Sequence, residues 1–251
     1  MNLDLAGKVA LVTGSSRGIG RSIALALASE GCQLALNGRH EATLAEAAAL
    51  FVASPLLVPG DMSQPADAAR VVQAVERRYG RLDIVVANVG SGRSVPPGTE
   101  DHAEWLRVFA LNLWSTTNTV EAARAALAQS RGCIVCISSI CANGVIPGAP
   151  VTYSVAKAAL HAYIAGIARP LGVEGVRIMA VAPGNIVFPG SVWARKLSED
   201  AAAVERMLHA DVPLARLGRP EEISDLVVFM ASARCSFATG SIWTLDGGQS
   251  R

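Results

Sequence analysis

Tyr153 and Lys157 stand four residues apart in VTYSVAKAALHAYIAGIA, and a phenol beside an ammonium can move protons. On a helix that spacing returns both side chains to nearly the same face. A phenol with a reference pKa of about 10 is a poor proton shuttle at neutral pH, but a neighbouring ammonium stabilises the phenolate and eases the exchange. Alone, the pair could equally be two polar residues sharing a helix face. A second feature lies near the N-terminus. In KVALVTGSSRGIG, Gly14, Gly18 and Gly20 follow a β-branched apolar run and open a helical segment. Glycines at such a turn let the backbone approach a pyrophosphate, and the helix N-terminus offers unpaired N–H groups and a favourable dipole. The spacing is not GxGxxG, so the signal rests on its position between strand and helix.

The elements that must position these residues alternate along the chain. Apolar runs such as KVALVTG, QLALNGR, LLVPGD, LDIVVANVG, GCIVCISS and VRIMAVAPG are each followed by longer segments of helical period, and SIWTLDGG closes the series. Runs this apolar suit strands covered on both faces, and βα alternation implies right-handed crossovers. The expected fold is therefore α/β: a Rossmann-type doubly wound parallel sheet in three α/β/α layers, forming a single domain over residues 1–251. The segment TEDHAEWLRVFALNLWSTTNTVEAARAALA reads as one long helical stretch. Residues from about 185 to 218 break the pattern, with two prolines, Trp193 and a weakly helical middle, SEDAAAVERMLHA. A long excursion of this kind in a compact domain is often a substrate lid, and otherwise a peripheral helix pair.

Composition narrows the function classes. Hydrophobic residues make up 51% of the chain and charged ones 17%, enough apolar surface for a large core and a subunit interface. With 22 basic against 21 acidic side chains and no run of Lys or Arg, nucleic acid is not an expected partner. No basic and apolar leader opens the chain and no stretch reaches about 18 consecutive apolar residues, so a cytoplasmic location without membrane contact is expected. Cys32, Cys133, Cys136, Cys141 and Cys235 are expected to be reduced thiols, and the CxxC of Cys133 and Cys136 to be buried strand positions rather than ligands. His40, His102, His161 and His209 have no carboxylate or cysteine at ligand spacing, so no metal is assigned. Trp193 and Phe188 could wall a substrate site or serve only as packing anchors.

TGSSRGIG, ANVG, ISS, YSVAK, APG and the terminal DGG, in this order from about Leu5 to Gly248, resemble the short-chain dehydrogenase/reductase family in its single-domain branch. The resemblance implies a catalytic set of Asn112, Ser139, Tyr153 and Lys157. Lys157 would also hold the nicotinamide ribose, and Asn112 a water linking the lysine to solvent. A donor is needed where negative charge develops on a substrate oxygen, and a serine ending a strand at the carboxyl edge suits that task. Ser138 and Ser139 both stand there. Ser139 aligns from the strand side, yet its separation from Tyr153 is one residue longer than usual, the surplus falling in CANGVIPGAPV. For the cofactor, the likeness implies Gly14, Ser16, Arg17 and Ile19 at the turn, and Asp61 and Met62 at the adenine. It further implies Asn88 and Gly90 on the adenosine side, and Pro183, Gly184 and Ile186 with Val187 at the nicotinamide. Asn37 stands where an NAD-binding acid is usual; with Arg39 and Arg17 nearby, NADP(H) is expected over NAD(H).

Three departures from the family pattern are visible. NNAG is replaced by ANVG, a frequent threonine after APG is replaced by Phe188, and the serine spacing is long. The implied activity is interconversion of a ketone or 3-oxoacyl group and a secondary alcohol, with 3-oxoacyl-[acyl-carrier-protein] reductases as the familiar likeness. The alternatives are an NAD-dependent alcohol or sugar dehydrogenase, or a non-catalytic NADP-binding regulatory protein. Small residues along the Tyr153 helix imply a homo-oligomer, a tetramer or dimer.

Overall fold

The computed structural model describes residues 2–144 and 146–250. Seven strands form one parallel sheet: β1 (Val9–Val12), β2 (Gln33–Gly38), β3 (Leu56–Pro59), β4 (Ile84–Ala87), β5 (Cys133–Ile137), β6 (Arg177–Pro183) and β7 (Ile242–Leu245). Their order is β3-β2-β1-β4-β5-β6-β7, with Val12 beside Leu36 on one side and Val86 on the other. The order reverses between β1 and β4, and ligands of such sheets bind outside the carboxyl ends at that reversal.

Each face is covered by three principal helices. Strand alternation sends Val9 and Leu11 to one face, where α3 (Pro65–Tyr79), α5 (Ser115–Ser130) and α6 (Val151–Val173) bury Val71, Val75, Ala123, Leu127, Leu160 and Ile164. Ala10 and Val12 meet Ile23, Leu27, Leu44, Ile223 and Val227 of α1 (Gly18–Ser29), α2 (Glu41–Ala48) and α9 (Pro220–Ala231) on the other. Each such buried aliphatic side chain contributes about 1.5–3 kcal/mol, so both layers are tightly held to the sheet. Cys133 and Cys136 lie three residues apart on β5, and alternation sends their side chains to opposite faces. They cannot meet, and all five cysteines are free thiols.

One segment departs from the sequence reading. The long helical stretch is interrupted: α4 (His102–Phe109) passes through a π-turn at Ala110–Trp114 before α5 begins. The excursion at 185–218 contains a helix pair, one of the two readings its sequence left open: α7 (Val192–Glu199) and α8 (Ala201–Asp211). Short polar caps explain this, because Ser191 accepts from the Ala194 amide at 3.0 Å and Asp200 from the Ala203 amide at 2.8 Å. The neck of the excursion is tied by a bridge between Ile186 and Gly218. Among the described residues no helix is long and apolar enough to cross a membrane.

Candidate active site

The β1–α1 turn depends on glycines at its points of closest approach. Gly14 and Gly18 take φ of 62° and 56°, conformations that glycine alone adopts without strain. A Cβ on Gly20 would lie 2.4 Å from both Asn88 Nδ2 and the Gly14 carbonyl oxygen. Asn88, just past β4, holds the turn by donating from Nδ2 to the carbonyls of Thr13 and Gly14, each at 3.0 Å. No side chain caps the N-terminus of α1, so its first amides keep their capacity for an acceptor. This bare cradle at a helix N-terminus fits the pyrophosphate of a nicotinamide dinucleotide. Above it, the Phe188 ring packs so closely that a Cβ on Gly18 would come within 2.5 Å of it.

A cavity of about 1060 Å³ opens from this turn along the carboxyl edge of the sheet. It is lined by Gly14, Arg17, Ile19, Asn88 and Gly90 at one end, by Ser138, Ser139, Tyr153 and Lys157 in the middle, and by Pro183, Gly184 and Ile186 beneath. Residues of α7 and α8, with Thr244, Gln249 and Ser250, complete the wall. Ser16, Asn37, Arg39, Asp61, Met62 and Asn112 do not border it.

Their placement is specific. Asn37 is fully buried and donates from Nδ2 to the Val58 and Gly60 carbonyls at 3.0 and 3.1 Å, so it joins β2 to the end of β3 rather than facing a ligand. The β2 position that faces the turn is the next one: a Cβ on Gly38 would stand 3.7 Å from Ser16 Oγ. The expected place of the acid is therefore corrected by one residue, from Asn37 to Gly38, because successive strand side chains alternate in direction. Arg39 follows, exposed and without an ion pair among the described residues. Asp61 accepts from the amide and hydroxyl of Ser63 at 3.0 and 2.8 Å, while the Met62 side chain is in the core.

At the centre, Lys157 is only 2% exposed, and its Nζ donates to the Ile137 carbonyl at 2.9 Å and lies 5.9 Å from the centroid of the Tyr153 ring. Asn112 sits in the π-turn, fully buried; its Nδ2 donates to the carbonyls of Ser91 and Val108, and its Oδ1 accepts from the Ser91 amide at 2.9 Å. Gly90 separates Asn112 from the lysine: a Cβ there would lie 2.9 Å from Asn112 Oδ1 and 3.2 Å from Lys157 Nζ. The two serines part company. Ser138 Oγ is 2.7 Å from His161 Nε2, whereas Ser139 Oγ accepts from the Cys141 amide at 3.2 Å beside Tyr153. The loop expected to absorb the extra residue includes Val145, which lies outside the described residues.

Electrostatics depart from the sequence reading. Burial pushes the Tyr153 phenol up to about 12, with the Ser139 hydroxyl pulling it back and Cys141 adding to the rise. Burial brings the Lys157 ammonium down to about 8, against the opposing influence of Cys136 and Cys141. An ammonium that eases ionisation of the phenol was the expectation; desolvation of both groups outweighs it. The phenol is thus held as a proton donor, and the lysine remains mostly charged at neutral pH.

His161 escaped the sequence reading. It lies four residues after Lys157, the same interval that separates Lys157 from Tyr153, so helical periodicity alone could have placed all three on one face. Lys157 grips Ile137 and His161 grips Ser138, so two adjacent residues at the end of β5 are tied to two successive turns of α6. Burial, and then the Lys157 charge, lowers the His161 pKa. No group of three or more potential metal ligands occurs among the described residues.

A family model described as enoyl-(acyl carrier protein) reductase matches residues 14–250. The rhamnolipids biosynthesis 3-oxoacyl-[acyl-carrier-protein] reductase of Pseudomonas aeruginosa is 32% identical over 252 residues, covering 98% of this chain and 97% of its own. Among solved structures, L-sorbose reductase from Gluconobacter frateurii, in complex with NADPH and L-sorbose, superposes with a TM-score of 0.93 at 29% identity, covering 100% of this chain and 99% of that one. A 7α-hydroxysteroid dehydrogenase in complex with NADH and a 7-oxo bile acid gives 0.90 at 25% identity, covering 99% and 96%. Taken with the parallel sheet, the glycine turn and the Tyr153–Lys157 face, these likenesses make the chain a member of the short-chain dehydrogenase/reductase family of NAD(P)-dependent oxidoreductases.

Proposed function

We propose that the protein interconverts a carbonyl group, of a ketone or a 3-oxoacyl compound, and a secondary alcohol, with NADP(H) as the preferred cofactor. The observation that carries this reading is the lining of one cavity by the glycine turn, Ser139, Tyr153 and Lys157. Bound nicotinamide supplies or accepts the hydride. Ser139 and Tyr153 hold the carbonyl oxygen, and Tyr153 delivers a proton to it. Lys157, pinned by the Ile137 carbonyl, orients the ribose and replenishes the proton, while Asn112 fixes the Ser91 backbone beside it. Ser138, held by His161, braces the strand end.

The preference for NADP(H) rests on Arg17 and Arg39 and on the absence of a carboxylate at Gly38, where one would repel a 2′-phosphate. An NAD-dependent alcohol or sugar dehydrogenase is the second reading, favoured by the fact that Arg39 does not border the cavity and by the likeness to a dehydrogenase that carries NADH. The helices at 192–211 serve as a substrate lid: α7 buries no residue in the core, yet Val192, Trp193 and Lys196 line the cavity. The exposed Val151 and Val155 on α6 suit a contact between subunits of a homo-oligomer.

NADPH consumption with a panel of ketones and 3-oxoacyl thioesters tests the reaction. Tyr153→Phe is expected to lower kcat by about 10²–10⁴-fold while leaving NADPH affinity intact. Tight NADPH binding with no turnover on any substrate, in wild type and variant alike, would establish the non-catalytic alternative instead.

A further inference from the structure

The charge of the cavity is unlike the charge of the chain. Overall, 22 basic side chains face 21 acidic ones, yet among the described residues the lining holds Arg17, Arg93, Lys157, Arg195 and Lys196 against the side chain of one acid, Asp211. Some of these cations are already engaged. Arg17 stands at the glycine turn, Lys157 is bound to the Ile137 carbonyl beside Tyr153, and Arg195 is paired with Glu199 at 2.9 Å. Arg93 and Lys196 remain; neither has a carboxylate partner among the described residues, and Asp211 pairs with neither.

Both cations are carried on braced supports. The Arg93 amide donates to Ser91 Oγ at 3.2 Å, and its carbonyl accepts from Arg107, which is itself paired with Glu104. Glu104 in turn accepts from Ser94 Oγ at 2.6 Å, and the Ser94 hydroxyl bonds Thr152, the neighbour of Tyr153. Lys196 Nζ lies 4.5 Å from the centroid of the Trp193 ring, a cation over an apolar plate on the lid. A ligand that reaches Tyr153 therefore shares the cavity with two exposed cations that favour negative charge.

We propose that the substrate bears an anionic group, a carboxylate or a phosphate, remote from its reacting carbonyl, and that Arg93 and Lys196 receive it. This rests on the reading of the cavity as a carbonyl reductase site. Guanidinium and ammonium both pair with either anion, the first through a two-pronged hydrogen bond and the second as a compact charge. Partly solvated pairs of this kind are each worth up to about fivefold in affinity, and together about tenfold.

The test compares matched substrates under NADPH: 5-oxohexanoate against 5-oxohexanamide, and dihydroxyacetone phosphate against dihydroxyacetone. The charged member of at least one pair is expected to have a kcat/KM about tenfold higher, with the advantage shrinking as salt is raised. The pair that shows the advantage identifies the anion. In the double variant Arg93→Gln, Lys196→Gln the charged and neutral members should become equal. Equal kcat/KM within both pairs in the wild type, or an advantage that survives the double substitution, would overturn the inference while leaving the reductase reading in place. Failure to reduce any ketone or 3-oxoacyl thioester would instead overturn the reductase reading, and the inference with it.

Discussion

Replacing Lys157 with methionine should change how stability depends on pH by an amount the site itself sets. Methionine has similar length and suits a position that is 2% exposed. In the unfolded chain the ammonium titrates near its ordinary value of 10.5, and in the folded protein near 8. Below pH 8 both states carry the proton, so the folded state bears the full cost of a buried charge. As pH rises through 8 the folded state sheds the proton first, and that cost is relieved until the unfolded state follows near 10.5. Between pH 7 and pH 9 the relief amounts to about 1.4 kcal/mol. The variant loses the bond to the Ile137 carbonyl, a cost of about 1–3 kcal/mol that is present throughout this range. Cys133 and Tyr153, whose pKa values are raised by burial with no contribution from Lys157, titrate in both proteins and cancel in the comparison. Cys136, Cys141 and His161 do feel the Lys157 charge, but burial is the larger cause in each and keeps their directions in the variant. Urea unfolding of both proteins at pH 7, 8 and 9, at one fixed protein concentration, reads the effect directly. Wild type should gain on the variant by about a tenfold change in unfolding equilibrium between pH 7 and 9. A difference between the two proteins that stays constant across that range would refute the argument that the lysine is buried as a destabilised cation.

Other substitutions probe other parts of the site. Gly20→Ala places a methyl group 2.4 Å from a backbone carbonyl that cannot yield, so about 1–3 kcal/mol of stability and most NADPH affinity should be lost, measured by thermal unfolding and by cofactor titration. Arg39→Ala should weaken NADPH by about tenfold and leave NADH unaffected; equal effects on both cofactors would remove Arg39 from a phosphate contact. His161→Ala should cost about 1–3 kcal/mol by stranding the Ser138 hydroxyl, whereas Ser139→Ala should lower kcat with little change in stability. Equal losses of kcat in Ser138→Ala and Ser139→Ala would contradict the separate surroundings of the two serines.

The sheet was legible because its strands are apolar on both faces and its crossovers are helical, a pattern that depends on local composition. The Tyr153–Lys157 face was legible for the same reason, since helical spacing is a local property. What escaped depended on the third dimension. Asn37 and Gly38 differ by one step on a strand, and only the pleat decides which faces the glycine turn. The pKa directions of Tyr153 and Lys157 follow from burial by distant elements, which a spacing of four cannot convey. The split between Ser138 and Ser139 required His161, 23 residues away, to be seen in contact. The helix pair at 192–211 was open as one of two readings of the excursion, and mixed charge on helices that bury almost nothing hid only their boundaries.

The π-turn at Ala110–Trp114 has a consequence for how the chain can change in length. Its hydrogen bonds span five residues where an α-helix spans four, so the turn stores one residue more than a regular helix would hold there. Deleting that surplus residue would close the turn into regular helix with α4 and α5 still in phase, whereas a deletion elsewhere in either helix would rotate its two ends about 100° against each other. The first change disturbs Asn112 beside the Ser91 backbone, and the second, made in α5, takes Val120, Ala123 and Leu127 off the core. Within this helical stretch a one-residue change in length is therefore confined to the π-turn, at the expense of the Asn112 contact.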